Sequence, residues 1–536
     1  MVATTEATVD RDILEVSGPP IGERPPQRLI DALILGVASS DESGQLDVEA
    51  PYTADLLARV PISSDADIAA AFGRARREQV TWAAMPLRAR AAILLRFHDL
   101  ILKHRDEGLD LLQWETGKSR RDALEELLDV AVTTRHYARD AARLLRTRRH
   151  RGALPLVVGI REYRHPKGVV GVVAPWNYPL TLAASDAVPA LMAGNAVVLK
   201  PDSQTPLTAL WVASLLHEAG MPEGVLQIIV GPGSRLGSQM VDNSDYIMFT
   251  GSTRIGRAIA GQCGQRLIGC SLELGGKNAL IVAHDADLDR AADVAVRASF
   301  ANSGQLCVSM ERLYVHESVR EAFLDRFLPR VKAMRLQAHV GWGADMGSLI
   351  SATQLQRVAE HVDDAVAKGA TVLAGGRARP DIGPYFYEPT VLSNMTEQMA
   401  ACTDETFGPV LAVYPFADEE EAIAHANATS YGLNAAIITR DTRRGRRIAE
   451  RLRAGTVNIN EGYAATWGST RATMGGMGDS GLGRRHGDEG LLKYTESQTV
   501  ATQRVLGFGA PFGLSDKQWG ETLTTAVSMM KKAGLK

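Results

Sequence analysis

GVVGVVAPW (168–176), AVVLKP (196–201), LQIIVG (226–231) and YIMFTGS (246–252) carry the reading of the fold. Each is a short, continuous apolar run. Each ends in Gly, Pro or a small polar residue. A helical stretch opens after each, near Leu182, Pro206, Ser234 and Ile255. Continuous apolar strands that alternate with helices make a parallel sheet buried on both faces. In open sheets of this kind, ligands bind at the carboxyl ends of the strands.

Outward from that core, a second α/β series is expected from about residue 273. Its candidate strands are ALIVA (279–283), RLYVH (312–316), TVLAG (371–375), AAIIT (435–439) and GTVNIN (455–460). Upstream, residues 65–147 read as helical, with Ile93, Phe97, Leu100 and Ile101 at helix spacing. Residues 153–167 read as extended. Residues 1–45 read as a loose arm interrupted by Pro19, Pro20, Pro25 and Pro26. The basic stretch RDAARLLRTRRHR (139–151) suits an exposed helix end with cations near its C-terminus better than a nucleic-acid patch. The terminal LTTAVSMMKKAGLK is an amphipathic helix, expected to pack on the protein rather than touch a membrane surface.

The 536 residues exceed what one hydrophobic core organises, so two or more domains are expected. A net charge of -3 gives no basic footprint for nucleic acid. Four cysteines, Cys263, Cys270, Cys307 and Cys402, show no C-x-x-C pair and no zinc-ligand spacing, so no metal is expected. A reducing cytoplasmic setting fits them. The first residues lack a signal-peptide pattern and no run reaches membrane-span length.

Five segments carry chemistry. In FANSGQLC (300–307), small polar residues leave room around Cys307, and Gly304 allows a tight turn. A thiol works as its thiolate. A nucleophile and a packed structural cysteine are both consistent with this segment alone. In LELGGK (272–277), Glu273 lies between leucines, where a raised pKa suits a general base. A strand glutamate paired with arginine is the alternative. In APWNYP (174–179), Asn177 offers amide hydrogens to a developing oxyanion, or simply forms a turn. Lys200 ends a buried strand in VVLKPDSQTP (197–206) and needs a carboxylate, solvent or a ligand's oxygens. FTGSTRIG (249–256) is a strand, a Gly-Ser-Thr turn and a helix start that presents N–H groups to a phosphate. GPGSRLG (231–237) lacks the spacing of a dinucleotide fingerprint.

Together and in this order, PWNYP, KPDSQTP, FTGST, LELGGK, FANSGQLC, ETFGPV, GTVNIN and SGLGRRHG resemble the aldehyde dehydrogenase superfamily over residues 50–500. The texture is most similar to NADP-linked succinate-semialdehyde dehydrogenases. The resemblance implies an α/β aldehyde dehydrogenase fold: a Rossmann-like cofactor domain (46–152 and 168–272) and an α/β catalytic domain (273–485). A small oligomerisation sheet (153–167 and 486–503) would be added to these, with an N-terminal arm (1–45) and a C-terminal extension (504–536). It implies Cys307 as nucleophile, Glu273 as the base that activates water, and Asn177 with the Cys307 N–H as oxyanion donors. Trp176, Asn177, Lys200, Pro201, Asp202, Ser203, Gly251, Ser252, Leu274, Glu405 and Phe407 match the cofactor site. A homodimer or homotetramer follows from the same likeness.

Relatives that prefer NAD usually carry Glu where this chain has Ser203. A serine there tolerates a 2′-phosphate, so NADP is expected to be preferred, with NAD possible. The substrate implied is succinic semialdehyde, oxidised to succinate. Two arginines that such enzymes place against the substrate carboxylate are replaced by Ser185 and Ala301. Arg471, in the long segment GYAATWGSTRAT (462–473), is a candidate substitute. Tyr463 and Trp467 of that segment suit a bulkier, uncharged aldehyde instead. A non-catalytic binding or structural member of the fold would have lost Cys307, Glu273 or Asn177, and all three are present.

Overall fold

A computed structural model of the chain describes residues 21–40, 44–152, 158–504 and 509–534. Its first large sheet has six strands in the order Gly481–Leu482, Gly269–Glu273, Tyr246–Thr250, Val169–Val173, Ala196–Lys200 and Leu226–Ile228. All neighbours are parallel except the two-residue edge strand Gly481–Leu482. The chain starts in the middle at Val169–Val173, fills one side, then crosses to the other. The strand order therefore reverses between Val169–Val173 and Tyr246–Thr250. A crevice opens at such a switch point, beyond the strand ends. The turns that carry Asn177 and Gly251 leave from these two strands.

The second sheet has seven strands: Thr371–Ala374, Thr390–Ser393, Val410–Phe416, Met310–His316, Asn278–Val282, Asn434–Ile438 and Thr456–Ile459. Thr371–Ala374 is antiparallel and the rest are parallel. Two of these strands, Thr390–Ser393 and Val410–Phe416, were absent from the sequence reading. Prolines at 389, 409 and 415 break up their apolar runs, although Val410–Phe416 is a central strand.

A third, antiparallel sheet pairs Thr495–Gln503 with Val158–Pro166, and that strand with Arg148–Arg151. Here the structure departs from the sequence reading. The helix Arg120–Leu144 ends inside the basic stretch, with Arg143 in its last turn as expected, but Arg148–Arg151 is a strand of the small sheet. The extended segment expected over 153–167 is a strand over Val158–Pro166, and 153–157 lie outside the described residues.

Two terminal expectations also change. Within the arm, Gln27–Ile34 is a helix that buries Ile30 and Leu33 against the core. Its QRLIDALI pattern places both on one face. At the other end, Asp516–Lys532 is a helix whose start is fixed by a Ser515–Gln518 capping box. It buries Trp519, while Val527 and Met529 are exposed. In a single chain that helix is largely unpacked.

Candidate active site

The thiol is delivered by an unusual turn. The helix Leu288–Phe300 ends at Ala301, and Asn302, Ser303 and Gly304 follow with φ of 50°, 57° and 71°. Two consecutive non-glycine residues in the left-handed region cost about 1–2 kcal/mol each. Side-chain bonds hold the turn. Asn302 Nδ2 donates to the carbonyls of Asn177 (3.0 Å) and Gln305 (3.2 Å), and Ser303 Oγ donates to Gly347 O at 3.0 Å. At Gly304 a Cβ would lie 2.0 Å from Gly408 O, so only glycine fits. The turn leaves Cys307 half-buried, with its carbonyl held by Asn278 Nδ2 at 2.7 Å.

Asn177 lies opposite, on the turn into the helix Pro179–Met192. Its Nδ2 donates to Gln305 O at 3.1 Å, which ties that turn to the cysteine loop. An amide nitrogen has a second hydrogen to offer. Lys118 Nζ donates to the Asn177 carbonyl at 2.7 Å and also ion-pairs with Glu126. Glu126 in turn accepts from Leu180 N (2.9 Å) and Thr181 N (3.1 Å), which caps the helix. Sequence reasoning missed this fully buried pair; nothing in KSRRDALEE (118–126) marks it.

Glu273 ends its strand opposite Thr250 and faces the same cleft. It is 5% exposed, and among the described residues its Oε1 has no hydrogen-bond partner. Burial pushes its carboxyl up to about 7, against the pull of Arg485 and Lys493. Burial also pushes the Cys307 thiol up to about 12; Arg485 and the cysteine's own N–H oppose this, while Glu405 and Glu273 add to it. The cleft measures about 210 Å³ and brings together Trp176, Asn177, Gly251, Ser252, Glu273, Leu274, Cys307, Glu405 and Phe407.

Does this cleft suit a dinucleotide? Four helices follow strands of the first sheet: Pro179–Met192, Pro206–Glu218, Gly233–Asn243 and Thr253–Arg266. Gly233–Asn243 has no side-chain cap, but its start does not line the cleft. Of the other three, two starts are occupied by buried carboxylates: Glu126 on Pro179–Met192, and Glu115 on Pro206–Glu218, where it accepts from Thr208 N at 2.9 Å. The third, Thr253–Arg266, has no side-chain cap and no acid in its first turn. Its N–H groups are open to an anion. Lys200, 4% exposed, donates among the described residues to Pro201 O alone, at 3.0 Å. Burial lowers its pKa, and Asp202 opposes that. Ser203 Oγ donates to Gly231 O at 3.1 Å. On the far side Glu405 Oε1 accepts from Gly276 N at 2.7 Å, and Phe407 stands edge-on to Trp176 at 5.5 Å. Phe407 (φ 57°) is held by its N–H bond to Glu311, the partner of buried Lys277. The residues fit a phosphate-bearing, ring-bearing cofactor.

The other expected residues are more scattered. Ser185 Oγ donates to Asp129 at 2.8 Å. Tyr463 is buried, with its hydroxyl on Glu125 at 3.0 Å, and Trp467 packs against Tyr178 at 5.8 Å. Ala301 is buried and lines a separate cavity with Arg121, Arg297 and Arg330. Arg471 does not line the cleft: its side chain is 85% exposed and lies 3.9 Å from Asp140, which is 17% exposed. The remaining cysteines lie on the helix Thr253–Arg266 (Cys263), on the strand Gly269–Glu273 (Cys270) and beside Tyr414 (Cys402).

A dinucleotide-type crevice that faces a thiol, an amide and an open carboxylate defines a class: cofactor-linked oxidoreductases that can work through a covalent thiol adduct. The chain belongs to the aldehyde dehydrogenase family, whose profile matches residues 37–500. It is 52% identical over 499 residues to a Mycolicibacterium smegmatis protein named "putative succinate-semialdehyde dehydrogenase, NADP(+)", a match covering 93% of this chain and 96% of that relative. Its fold matches the crystal structure of an E. coli NADP-dependent enzyme with a TM-score of 0.84 at 34% identity, over 87% of this chain and 96% of that one. Succinate-semialdehyde dehydrogenase from Burkholderia pseudomallei matches with a TM-score of 0.83 at 34% identity, again over 87% and 96%. Among the described residues, no helix is long and apolar enough to cross a membrane.

Proposed function

We propose that the chain oxidises succinic semialdehyde to succinate with NADP. The observation that carries the reaction is the single cleft shared by Cys307, Asn177 and Glu273 in front of the open helix start at Thr253. The names of the relatives support the substrate and the cofactor. In this reading the Cys307 thiolate adds to the aldehyde carbon. Asn177 Nδ2 and the Cys307 N–H hold the oxygen that becomes negative. Bound NADP supplies the hydride acceptor. The acyl group is left as a thioester on Cys307, and Glu273 takes the proton of the water that hydrolyses it.

Gly251 and Ser252 would receive the pyrophosphate. Lys200, Pro201, Asp202 and Ser203 would hold the adenosine side, where a serine tolerates a 2′-phosphate. Trp176, Leu274, Glu405 and Phe407 would frame the nicotinamide half. We extend the same reading to a cytoplasmic homodimer or homotetramer. The small antiparallel sheet supports that assembly, because Thr495–Gln503 is exposed over nearly its whole length, Val500 included.

One observation favours a second reading. With Arg471 turned outward, the expected substitute for the missing arginines is gone, and Tyr178 with Trp467 offers an aromatic wall suited to a bulkier uncharged aldehyde. The test compares kcat/KM for succinic semialdehyde and for an uncharged aldehyde of equal chain length, each with NADP and NAD. The acid aldehyde with NADP is expected to lead. A preference of about tenfold or more for the uncharged aldehyde replaces the substrate, and a like preference for NAD replaces the cofactor.

A further inference from the structure

Three charged side chains with no part in that chemistry meet behind Glu273: Asp186 from the helix Pro179–Met192, and Arg485 and Lys493 from the C-terminal stretch. Arg485 Nε donates to Asp186 Oδ1 at 3.0 Å and Nη2 to Oδ2 at 2.5 Å; Nη2 also donates to Thr250 Oγ1 at 2.7 Å. The arginine is 11% and the aspartate 4% exposed. The backbone of Arg485 is fixed as well, by reciprocal bonds with Met474 at 2.6 and 2.8 Å. Thr250 pairs in register with Glu273 and lines the cleft that holds Cys307. The guanidinium is thus clamped against the wall of the cleft that Glu273 and Cys307 share. Among the described residues no ion pair joins it to Glu273, whose Oε1 stays without a partner. Next to Met474, Gly475 leaves that oxygen its space: a Cβ there would lie 3.2 Å from it.

We propose that Arg485 is the positioning cation of this centre: held by Asp186 and Thr250, it favours the Cys307 thiolate and the Glu273 carboxylate without capturing either. The proposal rests on the Cys307–Glu273 reading above. A free arginine near a buried carboxylate would swing onto it and neutralise the base. A bidentate partner prevents that, because Asp186 fixes the planar fork.

The surrounding charges agree. Facing Cys307 are Arg485, which opposes the effect of burial, and Glu405 and Glu273, which reinforce it. Facing Glu273 are Arg485, Lys493 and Arg484, which favour the anion, and Asp186, which disfavours it. Lys493 is pushed down to about 8 by burial, with Asp186 and Glu273 holding it up and Arg485 adding to the fall. Of the remaining neighbours, His486 is held neutral by burial, and Asp129, bonded to Ser185, is pushed up to about 7. Among the described residues, Arg485 is therefore the cation that favours the anion at both Cys307 and Glu273.

The test uses the full-length protein without cofactor and follows the rate of iodoacetamide alkylation, read at the Cys307 peptide, at a fixed pH of about 8, well below the value of the Cys307 thiol. Arg485→Gln removes the charge, and its alkylation is expected to slow about tenfold, the equivalent of about one pH unit in the thiol. Arg485→Lys keeps the charge, and its rate should stay near the parent's. Arg485→Gln leaves Asp186 buried and unpaired, so Asp186→Asn/Arg485→Gln is measured beside it; NADP binding shows that each variant is folded. A rate in a folded Arg485→Gln or double variant that matches the parent overturns the proposal. Cys307→Ala controls the underlying reading separately: if it still oxidises aldehyde at the parent rate, the nucleophile assignment fails instead.

Discussion

Glu126 and Glu273 are both buried carboxylates within reach of the Asn177 turn, and they are furnished in opposite ways. Glu126 meets the Lys118 ammonium and two helix-start N–H groups, so its oxygens are fully used. Glu273 is 5% exposed and keeps Oε1 without a partner. A satisfied buried charge holds a shape. An unsatisfied one is costly in a fold, and a proton acceptor for water has to be left in that state. The first carboxylate fixes where Asn177 stands; the second is left able to react.

The sharpest way to break this contrast is to neutralise both. Glu273→Gln keeps size and removes the base. Thioester hydrolysis is expected to fall about 10²–10⁴-fold, while acyl formation is much less affected. Stopped-flow absorbance should show a burst of reduced cofactor, then a slow steady state. A variant as fast as the parent would assign the water-activating role elsewhere.

Glu126→Gln should instead break the fold. It strands a fully buried Lys118 and weakens the cap on Pro179–Met192, for a loss of about 3–5 kcal/mol in urea unfolding. Any loss of activity should track the unfolded fraction and the displaced Asn177. A loss below about 1 kcal/mol would mean that the pair does not hold the turn.

The two carboxylates also show what the sequence makes legible. The apolar runs at 168–176, 196–201 and 246–252 gave their strands directly, because a strand buried on both faces has one local signature. Val410–Phe416 escaped because prolines interrupt it, and Gln27–Ile34 because prolines just ahead of it suggested a loose arm. Cys307, Glu273 and Asn177 sit in short motifs and could be singled out. Arg485 lies in the SGLGRRHG segment, but its partner could not be read: Asp186 is 299 residues away and meets Arg485 and Lys493 only through tertiary packing. Arg471 shows the converse limit. A cation in a suggestive segment says nothing about which way its side chain turns, and here it turns to Asp140.

The smallest expected effect discriminates between the two carboxylates by pH. Glu273 is pushed by burial from an ordinary 4.5 up to about 7, so below that value the base is protonated. Hydrolysis of the thioester should therefore slow about tenfold per pH unit below pH 7. Stability has the opposite sign. Between pH 4.5 and 7 the folded state holds a proton at Glu273 that the unfolded chain has lost, so the parent loses stability as pH rises through that window and levels off above it. Glu273→Gln cannot ionise and lacks this loss. Relative to the parent it should gain about 1–3 kcal/mol between pH 5 and pH 8, read from urea midpoints at both values. Glu126→Gln should be destabilised at both. If the gap between Glu273→Gln and the parent were the same at pH 5 and pH 8, Glu273 would titrate normally, and the difference between the closed and the open carboxylate would disappear.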